Sequence, residues 1–325
     1  MKLLAAVGRT IIGLLLLGAA AHAFCQAYPA KPIRLVVPFP PGGAVDFYAR
    51  VVQQPLFEAL GQPVVIDNKA GASGMVGAEI VAKSPPDGYT LLLGNIASLA
   101  INVGLYAKMP YDPLKDLTAI VRTVDVNYAM VVHPSVPANT VPELVAYAKA
   151  NPGKLSYGSA GSGSLPHLGT ELFKAQTGID MLHVPYKGGG PMVTDLLGGT
   201  IQVVIADQAN LMPHVQSGKL RALAVATTKR SPNFPGLPTI AESGVAGYDS
   251  TAWQGLVGPA GLPPEVVKRL NEAFNTVMTM PAVREKLAGG GLEVVGGPPE
   301  QLARFIATEI TKWTKIAKDV GAKVD

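Results

Sequence analysis

Cysteine is almost absent: the one residue, Cys25, lies near the N-terminus. Beyond it there is no basis for a disulfide, a cysteine-held metal or a thiol nucleophile. Charge is sparse too, at 15% of residues, with Lys and Arg numbering 27 against 23 acids. That excess is too small for a nucleic-acid binder, and no basic patch is interleaved with aromatics, which are themselves only 6%. Long apolar runs are missing apart from residues 11–21, a stretch too short to span a bilayer comfortably. With Lys2 and Arg9 before it and small residues after it, that stretch reads as an export signal, residues 1–27, cleaved after Ala27. Its removal leaves 25 basic and 23 acidic residues. The expected location is the periplasm.

Catalytic and metal motifs are lacking as well. His22, His133, His167, His183 and His214 form no H-E-x-x-H. His167 and Glu171 could share a helix face, but two ligands do not make a zinc site. No P-loop occurs. Gly161-Ser162-Gly163-Ser164-Leu165-Pro166 starts like a dinucleotide fingerprint and ends in proline. Ala160 and Ser164 stand where a nucleophile elbow around Ser162 needs glycines. The reading is therefore no catalytic residue, no metal and no cofactor. A periplasmic hydrolase of small carboxylate esters or amides is the competing class, and it lacks a nucleophile–base pair of recognisable spacing.

What is present is a 48% hydrophobic chain in which strand-like and helix-like pieces alternate. Residues 33–37 are a β-branched apolar run, followed by a Pro/Gly turn and then helical spacing of Val45, Tyr48, Val52, Leu56 and Leu60, stopped at Gly61. Strands at 63–66 and 89–93 flank a small-residue helix at 74–83. This βαβαβ opening predicts an α/β class with a largely parallel sheet. A second such unit begins near residue 129, with Thr140 as a helix cap, strands at 154–157, 181–184, 201–205 and 221–226, and a helix running to 176. Helices at 263–280, 281–288 and 298–320 each have proline near their start. They are expected to return to the first unit. The predicted domains are 28–126 with 251–325, and 127–250, with a ligand cleft between them.

Two segments share the layout strand, glycine-rich turn, helix: Pro38-Phe39-Pro40-Pro41-Gly42-Gly43, and Gly158-Ser159-Ala160-Gly161-Ser162-Gly163-Ser164. A helix start offers unpaired N–H groups and a positive dipole end, and glycine lets an anion approach them. Ser159, Ser162 and Ser164 add hydroxyls. Asp46 either caps its helix or holds a ligand amine or water. His167 either braces its loop or touches ligand. Tyr186 could line the cleft, and Asp207, at a strand end, is a candidate for the crevice. Trp253 reads as packing at a domain crossing, and Lys187 as surface.

These segments resemble the receptors of tripartite tricarboxylate transporters, the Bug family. The likeness starts at Tyr28-Pro29-Ala30-Lys31-Pro32 and runs through Pro41-Gly42-Gly43-Ala44-Val45-Asp46, Pro86-Asp87-Gly88-Tyr89 and Tyr157-Gly158-Ser159-Ala160-Gly161. It continues in His183-Val184-Pro185-Tyr186-Lys187-Gly188 and Trp253-Gln254-Gly255. The resemblance implies a two-domain Venus flytrap of the type II-like periplasmic-binding-protein kind. It implies a small organic carboxylate as ligand, inner-membrane transporter subunits as partners, and a monomer. Carried over by position, its contacts fall at Phe39, Gly42, Gly43, Asp46, Ser159, Ala160, Ser164, His167 and Asp207. Gly161 and Tyr186 join the candidate set from the reading of the loops. Asn95 completes it, and departs from the hydroxyl or other small residues common there in relatives.

Overall fold

The structure is a computed structural model and describes residues 28–232 and 234–324; the expected signal at 1–27 lies outside the described residues. In chain order the strands are β1 (Ile33–Val37), β2 (Val64–Asn68), β3 (Thr90–Asn95), β4 (Leu117–Val126), β5 (Tyr128–Val132), β6 (Ser156–Ser159), β7 (Leu182–Pro185), β8 (Val203–Asp207), β9 (Arg221–Val225), β10 (Ala252–Pro259) and β11 (Leu292–Val294). The α-helices are α1 (Ala44–Leu60), α2 (Met75–Ala82), α3 (Asn102–Leu105), α4 (Val141–Ala150), α5 (Leu165–Thr177), α6 (Gly189–Leu197), α7 (Gln208–Gln216), α8 (Pro264–Thr279), α9 (Pro281–Gly289) and α10 (Pro299–Asp319). A π-helical turn, Ala97–Ile101, leads into α3.

Two sheets organise the chain. The first has the order β11-β4-β10-β3-β1-β2, the second β7-β6-β8-β5-β9. Strand β1 runs parallel to β2 and β3, and β6 parallel to β7 and β8. The expectation of largely parallel sheets is corrected elsewhere: β10 is antiparallel to β3 and β4, and β5 antiparallel to β8 and β9. Strands β5 and β10 sit where the chain passes between sheets, and β11 adds a third antiparallel pairing, to β4. Strand β4 hands over to β5 through the buried Asn127, and β10 returns just after the buried Ser250 and Thr251.

Amphipathic spacing explains the helices. In α1, Val45, Tyr48, Val52, Leu56 and Leu60 are all buried, each burial contributing about 1.5–3 kcal/mol before entropy is counted. Gly61 ends the helix at φ 74, its N–H donating to Phe57 O at 2.8 Å. Thr140 Oγ1 caps α4 by accepting Glu143 N at 3.3 Å. The C-terminal helices return to the first sheet as expected, α10 burying Leu302, Ile306 and Trp313 in its core. One carboxylate knots this junction: Glu309 Oε2 accepts both Trp253 Nε1 at 2.9 Å and Trp313 Nε1 at 3.0 Å.

Candidate functional site

The turn after β1 delivers the chain to α1. Its ladder begins with Phe47 N donating to Gly43 O at 2.9 Å, so the N–H groups of Ala44 and Val45 have no acceptor within the helix. Gly42 stands at φ 91 and donates its N–H to Asp46 Oδ2 at 3.0 Å. Asp46 also accepts Arg50 Nε at 2.7 Å and Asn68 Nδ2 at 3.0 Å, and Asn68 Nδ2 reaches Phe39 O at 3.1 Å. The Arg50 bond, outweighing burial, holds the Asp46 carboxyl down at about 2. Asp46 is thus an ionised clamp that ties the turn to β2, with its oxygens already engaged by protein.

Behind the second turn the hydroxyls also face inward. Gly161, at φ 126, has its carbonyl bonded by Ser164 Oγ at 2.6 Å, Ser164 N at 3.1 Å and Ser159 Oγ at 3.1 Å. His167 Nδ1 accepts Gly163 N at 3.0 Å, the bracing role. Its ring stacks on His183 at 4.1 Å, and His183 stacks on Tyr157 at 4.9 Å. Burial lowers the pKa of both histidines, that of His183 to about 4. Tyr186 donates its hydroxyl to Asp195 Oδ2 at 2.7 Å and so braces α6.

The two turns border one cavity of about 450 Å³ at the carboxyl ends of β1, β3, β6 and β8. Of the sequence-derived candidates, Phe39, Gly43, Asn95, Ala160 and Asp207 line it; Gly42, Asp46, Ser159, Gly161, Ser164, His167 and Tyr186 are not in its lining. The starts of four helices meet there: α1 at Gly43 to Val45, α5 at Pro166, α6 at Gly189, and α7 from its cap Asp207. Two of these were not anticipated. The start of α6 is hidden in Gly188-Gly189-Gly190, which reads as a loop, and α7 follows β8 with no intervening turn residues. Tyr128 and Met192, also in the lining, carry no sequence signal beyond hydrophobicity.

The electrostatics of the lining are one-sided. It holds no Lys or Arg. Asp207 is its one acid; Oδ1 accepts Ala209 N at 2.8 Å, and burial nonetheless pushes its carboxyl up to about 6. Asn95 spends Oδ1 on Ala97 N at 3.1 Å and Ser98 N at 3.2 Å, leaving its amide NH2 as the group free to donate. A space framed by helix starts and neutral donors, and free of fixed cations, suits an anion held by backbone N–H groups.

Ser159 Oγ lies 2.7 Å from His183 Nε2, a serine–histidine pair that the sequence reading did not foresee. Ser159 is fully buried, its hydroxyl is shared with the Gly161 carbonyl, and it is absent from the cavity wall. Among the described residues no group of three or more His, Cys, Asp or Glu could hold a metal ion. No described helix is long and apolar enough to cross a membrane.

The family profile described as tripartite tricarboxylate transporter family receptor matches residues 48–322. Protein BugT of Bordetella pertussis is 40% identical over 324 residues, covering 99% of this chain and 98% of its own. Among solved structures, R. palustris Rpa4515 with adipate superimposes with a TM-score of 0.82 at 40% identity, covering 92% of this chain and all of that one. The periplasmic binding protein BugD gives a TM-score of 0.78 at 34% identity, with 91% of this chain and 100% of that chain covered.

Proposed function

We propose, from the premise that this chain belongs to the tripartite tricarboxylate transporter receptor family, that it captures one small carboxylate in the four-helix cavity and delivers it to a membrane transporter. The family is one of periplasmic solute-binding receptors, and its fold is the two-sheet α/β fold described above. The observation that carries the reading is the cavity itself, framed by helix starts from both sheets and lined by no basic side chain.

The finer parts of the reading follow from that. Residues 28–126 with 251–325 form one domain and 127–250 the other, and the cavity is the cleft between them. Phe39, Gly43, Asn95, Ala160 and Asp207 meet the ligand, while Asp46, Ser159, Ser164, His167 and Tyr186 hold the turns in shape. The protein acts as a monomer, is exported by cleavage after Ala27, and is served by inner-membrane subunits. It does not transform its ligand: Ser159 is buried and absent from the cavity wall, and a base as weak as His183 suits proton abstraction poorly.

A thermal-shift screen of mono-, di- and tricarboxylates tests this, with adipate as the first probe because the similar Rpa4515 structure holds it. A ligand at about 100 times its Kd stabilises the native state by roughly 2.7 kcal/mol, a rise of several degrees in Tm. Absence of a saturable shift across the panel sinks the receptor reading. Turnover of the bound acid beyond one equivalent would establish the hydrolase instead.

A further inference from the structure

The second turn is not supported by its own sheet alone. Gly163 stands at φ 79, and a Cβ there would lie 2.5 Å from Leu105 Cδ1 and 3.2 Å from Val324 Cγ2. Both neighbours belong to the other half of the molecule: Leu105 ends α3, and Val324 follows α10. They are joined to each other, since Val324 N donates to Leu105 O at 3.1 Å, and Ala322 N donates to Ala317 O at 2.9 Å, folding the last residues back onto α10. Gly321 makes that reversal at φ 65.

The helix that follows Gly163 is docked the same way. Leu165 and Leu168, on the first turn of α5, are buried in the core of the first sheet alongside Leu105, Trp313 and Ala317. Phe173, farther along α5, packs into the core of the second sheet instead. One helix therefore divides its burial between the two halves. The end lodged in the foreign half is the end that carries Ser164, Leu165 and His167 beside the cavity.

We infer that Leu105 and the C-terminal segment 321–324 are positioning elements for the second turn, holding the start of α5 against the first half so that its N–H groups face those of α1. The inference rests on reading the cavity as the ligand site. Apolar packing on Gly163 leaves no room for a side chain, and with the Gly163 N to His167 Nδ1 bond it fixes the turn from two sides. Opening of the cleft must part Val324 and Leu105 from Gly163, or else carry α5 with the first half.

Hydrogen–deuterium exchange on the full chain without ligand tests the assignment. In Val324→Asp, amides within 160–168 should exchange about tenfold faster than in the wild type, while those of β8 and of the first turn keep their rates. Val324→Ile should restore the slow rates. Leu105→Ala, a milder truncation, should repeat the local effect and covers the case in which Val324→Asp fails to fold. Acceleration spread evenly over both sheets, or none at 160–168, overturns the inference. Because this readout needs no ligand, it is decided separately from the carboxylate screen, where failure would remove the receptor reading and leave the docking of α5 intact.

Discussion

Asp46 accepts the backbone N–H of Gly42 at 3.0 Å, four residues back along the chain, and so closes the first turn into a ring. Asn68 and Arg50 share the same carboxylate. Asp46→Ala should cost about 1–3 kcal/mol in unfolding free energy, the usual range for hydrogen bonds to a charged group, here a buried carboxylate. It should also weaken ligand binding at least tenfold through the loosened turn. Urea unfolding and calorimetric titration check both. Unchanged affinity in a destabilised variant would mean that the turn's shape is not held by this ring.

Gly43 and Gly161 should fail for different reasons. Gly43 has an ordinary φ of −83 and room for a Cβ, whose nearest neighbour would be Pro40 O at 4.0 Å, so Gly43→Val should fold with a wild-type Tm and lose binding by filling the cavity wall. Gly161 at φ 126 is strained by any side chain, and Gly161→Val should lower Tm as well as affinity. Circular dichroism melts beside titrations separate the cases; retained binding in Gly43→Val would refute its place at the ligand.

With no basic side chain in the lining, affinity should depend little on any one cation. Arg34→Gln and Lys187→Gln should each change Kd by less than about threefold, against the hundredfold expected of a buried ion-pair partner. Arg50→Gln should act only through Asp46, with a loss no larger than that of Asp46→Ala. Elimination of binding by either of the first two would replace the backbone mechanism with a side-chain clamp.

Burial pushes the Asp207 carboxyl up to about 6, above its ordinary value, so the native state binds this proton more tightly than the unfolded chain. Its contribution to folding is then complete below about pH 4 and lost as pH rises through about 6. Asp207→Asn keeps a capping oxygen and removes the titration. At about pH 7.5 the variant should melt a few degrees above the wild type, with a ceiling of about 3 kcal/mol, and the difference should vanish near pH 4. A Tm gap independent of pH would assign the effect to capping alone.

The strand at 33–37 and the helix at 44–60 match the structure to the residue, because periodicity, a glycine stop and a Pro/Gly turn all agree there. Strand β4 was not anticipated: Arg122 and Asp125 interrupt its hydrophobicity, and they are tolerated because they pair with each other. Sheet direction was misjudged for β5 and β10, since a single apolar run carries no record of which neighbour it will meet. At the site the turns were legible from glycine and serine. The aim of the hydroxyls was not, because Ser159 and Ser164 turn inward to the Gly161 carbonyl, a geometry set by the fold.

Trp253 and Trp313 are the chain's two tryptophans, and both donate to Glu309 Oε2. The protein's indole fluorescence therefore comes from one place, where the returning strand meets the last helix, and none of it from the cavity wall. All three residues lie in the half of the chain built on the first sheet, so a change of emission on adding a solute reports repacking within that half at the returning strand, without a label. Selective quenching in Glu309→Gln would calibrate that signal.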